Sequence, residues 1–249
     1  MHWLNEFLKF CRPVSRLTGS EWADAKRFIS LGTTAEPGPW RTYRTPYLQE
    51  PLDAATDKTT EKVVLMCASQ LGKSELLLNV LGYYADQEPS PQLMLQPTVE
   101  MAQAFSKERI APMFRDSPGL AGKLIEGKEG RGTEKKSSTT ILMKHYPGGF
   151  LALVGANSPA GLASRPIRIL LADEVDRYPE SAGKEGDPLK LAVQRTQNFG
   201  NRKLLMVSTP TVVGYSKIHN EFLAGDQREF VVRCPECCQY NELKWENVH

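Results

Sequence analysis

The chain has 249 residues, 41% hydrophobic and 24% charged, with a formal net charge of +2. That is enough for a full core, in one large domain or two small ones, and the composition is that of an ordinary globular protein. No apolar run is long enough for a membrane-spanning helix, and near-neutrality neither predicts a nucleic-acid partner nor excludes a local basic face.

The opening MHWLNEFLKFCRP lacks the long apolar core and small-residue cleavage site of a signal peptide. Trp3, Leu4, Phe7, Leu8 and Cys11 instead fall on one face of a short amphipathic helix over Met1–Cys11. A second short helix is expected over 20–25, with Ser20 as its N-cap, followed by a Pro- and Gly-rich loop over 36–40. Next comes Arg44-Thr45-Pro46-Tyr47-Leu48-Gln49. An aromatic ring followed by an amide can serve an adenine ring, one stacking and the other pairing with its edge. The alternative is a turn leading into a helix, with Tyr47 packed in the core.

Val63–Met66 is a short apolar run, β-branched at its start. It reads as a strand covered on both faces of a parallel sheet. Gln70-Leu71-Gly72-Lys73-Ser74 follows, and Leu76, Leu77, Val80, Leu81 and Tyr84 then recur as the buried stripe of an amphipathic helix. Strand, Gly-Lys-Ser loop and helix resemble a phosphate-binding P-loop. Backbone N–H groups and the helix N-terminus face an anion, the lysine adds charge, and the serine hydroxyl ligates Mg²⁺. The usual first glycine is replaced by Cys67, and a chance Gly-Lys-Ser at an ordinary strand–helix turn is the competing reading.

Gln92–Gln96 reads as a second strand stopped by Pro97, and 98–114 as a helix carrying Met101, Phe105, Ile110 and Met113. Strand–helix–strand–helix order points to an α/β parallel sheet. Residues 119–138 read as a solvated loop. Its Lys128, Arg131, Lys135 and Lys136 could meet DNA phosphates, but Glu126, Glu129 and Glu134 are interleaved with them. Two strands are expected over 139–144 and 150–155, around the turn Pro147-Gly148-Gly149.

Arg168-Ile169-Leu170-Leu171-Ala172-Asp173-Glu174 is an apolar strand ending in two acids, at the end where open α/β sheets bind ligands. After a P-loop this is the Walker B arrangement, the first acid holding Mg²⁺ and the second polarising water. Lys203–Val207 is another apolar strand, ending in Ser208, Thr209, Pro210 and Thr211. Polar groups there can report the γ-phosphate, or can simply end a strand.

The set SQLGKS, LLADEVDRYP, VSTPT and CPEC, with GANSPAGLASRPIR before the Walker B strand, resembles the large terminase subunit of tailed bacteriophages, in the lambda-type family. The resemblance runs from about Ser20 to the end. It implies an α/β P-loop NTPase of the ASCE class, RecA- or helicase-like, with a mainly parallel central sheet flanked by helices. Residues 1–45 would be a helical lead-in, 46–228 the ATPase domain, and 229–249 the start of a truncated zinc-ribbon-like or linker segment, without the nuclease domain.

By position, Ser69, Gln70, Leu71, Gly72, Lys73 and Ser74 would hold the phosphates of ATP, and Ser74 and Asp173 the Mg²⁺. Glu174 would activate water, Gln49 would contact adenine, and Ser208, Thr209 and Pro210 would couple hydrolysis to movement. Ser69 stands where some terminases carry an arginine, so that charge must come from elsewhere. Arg165 and Arg168 are the candidates, in cis or from a neighbouring subunit. Implied partners are double-stranded DNA, the small terminase subunit, the capsid portal and further copies in a ring, in the host cytoplasm and transiently at the procapsid.

Cys234-Pro235-Glu236-Cys237 has zinc-knuckle spacing, but a tetrahedral site needs four ligands. Cys238 stands where the family usually has glycine, His249 is the other nearby donor, and the second cysteine pair of related chains is not reached. The expectation is a half-site without Zn²⁺. DNA cutting is expected of the full-length protein and not of these residues. A helicase-like ATPase of another superfamily, or a non-catalytic DNA- or capsid-binding adaptor with an ATPase fold, are the alternatives.

Overall fold

The computed structural model describes residues 16–32, 36–125, 139–158, 161, 165–212 and 214–242. The expected Met1–Cys11 helix, the basic side chains Lys128, Arg131, Lys135 and Lys136, and His249 lie outside them.

Helix α1, Gly19–Lys26, is capped by Thr18 rather than Ser20. Thr18 Oγ1 accepts the Glu21 N–H while Glu21 reaches back to the Thr18 N–H, a reciprocal capping box. Ser20 is instead inside the helix, donating its N–H and hydroxyl to Asp53 at 2.8 and 3.0 Å. The expected loop contributes a two-residue strand: β1, Phe28–Ile29, pairs with β2, Gly38–Pro39. Short 3-10 turns over Thr42–Arg44 and Pro46–Leu48 lead into α2, Gln49–Thr56.

The central sheet has strands β3 (Lys62–Met66), β4 (Pro91–Gln96), β5 (Met143–Tyr146), β6 (Gly149–Gly155), β7 (Ile169–Asp173) and β8 (Lys203–Ser208), in spatial order β3-β8-β7-β4-β6-β5. All neighbours are parallel except the β5–β6 hairpin. Among the described residues the P-loop strand β3 pairs only with β8, and it is half-buried. Its apolar run therefore marks a sheet edge under partial cover, not the strand enclosed on both faces that its sequence suggests.

Helix α3, Lys73–Asp86, lies on one face against β7 and β8, with α1 and α2 packed over it. Layers on both sides bury it almost all round, which replaces the expected single stripe. The closest approach is at Gly82, where an added Cβ would stand 2.3 Å from the fully buried Trp22 ring. Trp22, Ala23 and Trp40, within the stretch read as a lead-in, thus belong to the main core.

Helix α4 (Val99–Phe105) continues through a π turn, Ser106–Ile110, into α5 (Ala111–Asp116). The opposite face of the sheet is covered by Val175, Tyr178 and Ala182, by α6 (Pro188–Gln194) and by α7 (Lys217–Leu223). A last hairpin pairs β9, Val231–Arg233, with β10, Tyr240–Glu242.

Candidate nucleotide-binding site

Successive side chains of a strand point to opposite faces. Ile169 and Leu171 of β7 lie in the core on the α3 side, and Leu170 and Ala172 in the core on the other. The same alternation carries Asp173 to the α3 side. In β4, Met94 is on the α3 side, and so is Gln96. In β8, Leu205 and Val207 face α3, while Ser208 faces away.

The chemistry follows this parity. Gln96 Nε2 donates to Asp173 Oδ2 at 3.1 Å, and Ser74 Oγ, in the first turn of α3, is 3.5 Å from the same oxygen. Asp173 Oδ1 is buried without a hydrogen-bond partner among the described residues. Burial pushes the Asp173 carboxyl up to about 6, with Gln96 opposing the shift and Glu174 adding to it. A hydroxyl beside a buried carboxylate with one oxygen unsatisfied is a hard-oxygen donor set, and it fits Mg²⁺.

Gly72 caps α3 at φ +80, a left-handed conformation, and an added Cβ would stand 3.0 Å from Leu48 Cδ1. Cys67 is not among the described non-glycine residues at positive φ, so its place in the loop does not require glycine. Its N–H donates to Ser208 O at 3.3 Å, and burial pushes its thiol up. Ser69, Gln70 and Leu71 are exposed at the rim. Lys73 is 5% exposed, and its ammonium donates to Ala68 O and Thr209 Oγ1, both at 2.8 Å. Next to Ser74, the buried Glu75 takes Arg27 on one carboxylate oxygen at 3.0 Å and Arg109 on the other at 2.8 Å. This triad anchors the start of α3 to β1 and to the π turn.

Glu174 follows β7 at φ 53, ψ 50, left-handed for a residue with a side chain. Arg177 Nε lies 3.6 Å from its Oε2. At the end of β8 the Ser208 side chain is buried, Thr209 half-buried and Pro210 exposed.

Residues 34–249 match the family described as phage terminase large subunit gpA, ATPase domain. The chain belongs to that terminase family. The large terminase subunits of Enterobacteria phage P21 and Escherichia phage lambda are each 26% identical to it over 233 residues, 92% of this chain. The chain spans 35% of the length of both. The crystal structure of the HK97 bacteriophage large terminase superposes with a TM-score of 0.60 at 14% identity, over 84% of this chain and 42% of that one. That likeness shows the fold.

The terminase resemblance also suggested residues that this site does not gather. Arg165 and Arg168 precede β7, whereas Asp173 ends it, roughly 17 Å further along the strand for Arg168. Sequence nearness to the acids is therefore not spatial nearness. Arg168 is buried and committed to Glu88 and Ser90, each at 2.9 Å, and to Asn201 O at 3.1 Å. It is not available as a charge-stabilising arginine. Arg165 is exposed, over the Phe150 ring at 5.8 Å, and does not reach the phosphate site within one subunit.

Tyr47 is half-buried, edge-on to Phe230 at 5.9 Å, and close enough to Cys67 for the thiol to add to the upward shift that burial gives its phenol. Gln49 is exposed at the first position of α2. Cys234 and Cys237 sit in the β9–β10 turn, where the Cys237 and Glu236 N–H groups hold the Cys234 thiol below its usual value. Cys238 adopts φ 61, a left-handed conformation that favours glycine. Among the described residues no group of three or more His, Cys, Asp or Glu could hold a metal ion.

Sequence reasoning missed Gln96 and Arg177. A glutamine before a strand-ending proline reads as a terminator, and only the β4–β7 pairing reveals its neighbour.

Proposed function

We propose that this chain binds ATP with Mg²⁺ and hydrolyses it, and that in a full-length large terminase this turnover drives double-stranded DNA into a procapsid. The observation that carries the reading is the meeting of Lys73, Ser74 and Asp173 at the carboxyl ends of parallel strands, beside Glu174. The backbone from Ser69 to Gly72 and the start of α3 cradle the phosphates, and Lys73 lends its charge. Ser74 and Asp173 hold the Mg²⁺, which when bound neutralises charge on the phosphate oxygens. Glu174 takes the proton of the attacking water. Tyr47 and Gln49 serve the adenine.

As water attacks, Thr209 and its neighbours Ser208 and Pro210 respond to the change at Lys73. Arg165 is proposed to act only in trans, from an adjacent subunit of a ring. The small terminase subunit and the portal are the proposed partners, in the host cytoplasm; no helix among the described residues is long and apolar enough to cross a membrane. Cleavage of concatemeric DNA, and Zn²⁺ at Cys234 and Cys237, are proposed only for the full-length protein.

The test is steady-state ATP hydrolysis, with and without double-stranded DNA, for the parent and Glu174→Gln. Turnover lost in the variant, and raised by DNA in the parent, is expected. Turnover retained in Glu174→Gln would reject the assigned base. For Arg165→Ala the readout is turnover of the assembled ring, and unchanged turnover would remove Arg165 from the trans role.

A further inference from the structure

Asp176, two residues beyond Glu174, sits in the 3-10 turn Val175–Arg177 and is not part of the Walker pair. Its carboxylate gathers backbone from two other places in the chain. Oδ2 accepts the Thr211 N–H at 2.9 Å and the Thr211 hydroxyl at 3.0 Å. Oδ1 accepts the Ile218 N–H, in the first turn of α7, at 2.8 Å. The Asp176 N–H in turn donates to Ser208 Oγ at 3.2 Å, on the sheet face away from α3. One residue thus joins the Glu174 turn to the end of β8, to the segment after it, and to α7, which packs on the P-loop strand β3.

Glu174 itself is in a left-handed conformation that a residue with a side chain holds only when its surroundings over-determine it. The bonds of Asp176 supply that restraint from one side of the turn. On the other side, Lys73 reaches Thr209, two residues before Thr211. A shift of the Ser208–Thr211 segment therefore pulls on Asp176, and through it on Glu174.

We propose that Asp176 is a positioning residue that registers the Glu174 turn against the Ser208–Thr211 segment and the start of α7, making the placement of Glu174 depend on where that segment stands. The proposal rests on Glu174 being the water-activating acid.

The test compares the parent with Asp176→Asn, Thr211→Val and Glu174→Gln in the purified chain. Asp176→Asn keeps the side-chain shape but sets an NH₂ among donors. It is expected to lower kcat about tenfold while leaving the dissociation constant of a fluorescent ATP analogue with Mg²⁺ within about threefold. Thr211→Val removes one donor and should have a smaller effect in the same direction, and the double variant should be no slower than Asp176→Asn alone. Hydrogen exchange at the amides of Val175–Arg177 should accelerate in Asp176→Asn. Unaltered exchange in that turn, or parental kcat in Asp176→Asn beside an inactive Glu174→Gln, would overturn the positioning role alone. Full activity in Glu174→Gln would overturn both this role and the assignment it rests on.

Discussion

Lys73 Nζ donates to Thr209 Oγ1 at 2.8 Å, so the P-loop lysine and the segment after β8 share a hydrogen bond. A phosphate arriving at Lys73 must compete with that bond. Thr209→Val removes the competitor and keeps the bond from Lys73 to Ala68 O. The variant is expected to bind Mg·ATP more tightly, by up to about tenfold, and to turn over more slowly. Fluorescence titration with an ATP analogue and steady-state kinetics give both readouts. Weaker binding in Thr209→Val would show that the hydroxyl helps to hold nucleotide instead of competing with it.

Gln96 orients Asp173 from the adjacent strand. Gln96→Leu removes a donor from a carboxylate whose other oxygen already lacks a partner among the described residues. The expected loss is about tenfold in ATP affinity measured with Mg²⁺, and little when Mg²⁺ is chelated with EDTA. An equal loss in both conditions would mean that Gln96 supports the fold of the site as a whole.

Glu75 faces two arginines, and the Arg27 side chain is only 3% exposed. Glu75→Ala leaves the Arg27 charge in a site built for an ion pair, which costs about 3 kcal/mol. Urea unfolding should show a lower midpoint with an unchanged slope. A variant as stable as the parent would show that water enters and solvates Arg27.

Asp86, at the end of α3, accepts Trp22 Nε1 at 2.7 Å and Lys26 Nζ at 2.8 Å, and is also bonded by Lys123. Burial alone would raise its carboxyl, but these donors hold it at about 2. Because the folded value lies below the unfolded one, the group stabilises the fold at and above ordinary carboxylate pKa values, and the effect fades as pH falls toward 2. With the two lysines about a third exposed, screening reduces the contribution to about 1 kcal/mol. Asp86→Asn should lose that much at neutral pH, and its deficit relative to the parent should close in acid. A deficit that does not change with pH would point to lost packing.

What the sequence conveyed was chemistry that is local in the chain. Gly72-Lys73-Ser74 and Asp173-Glu174 announce themselves because a phosphate loop and a strand-ending acid pair are each written in consecutive residues. Gln96 and Asp176 do not, since their partners Asp173 and Thr211 lie 77 and 35 residues away. Arg168 misled for the converse reason: it is near the acids along the chain, but a whole strand separates them. The edge position of β3 was illegible because an apolar run records burial of faces and says nothing about which edge is paired. The helix cap failed more narrowly. Ser20 and Thr18 both suit an N-cap, and Glu21 three residues after Thr18 is the signal that decides between them.

The alternation of side chains along β4, β7 and β8 has a consequence for how this chain can vary over time. Asp173, Gln96 and Ser208 each owe their side of the sheet to counting by two from residues packed in a core. A substitution inside β7 changes one contact. A deletion inside it turns the acid toward the wrong core or breaks the packing of every residue between, because a one-residue slip exchanges the two faces. The strands that carry the chemistry are therefore open to changes of side chain and closed to changes of length, and insertions have room only in the connections between them.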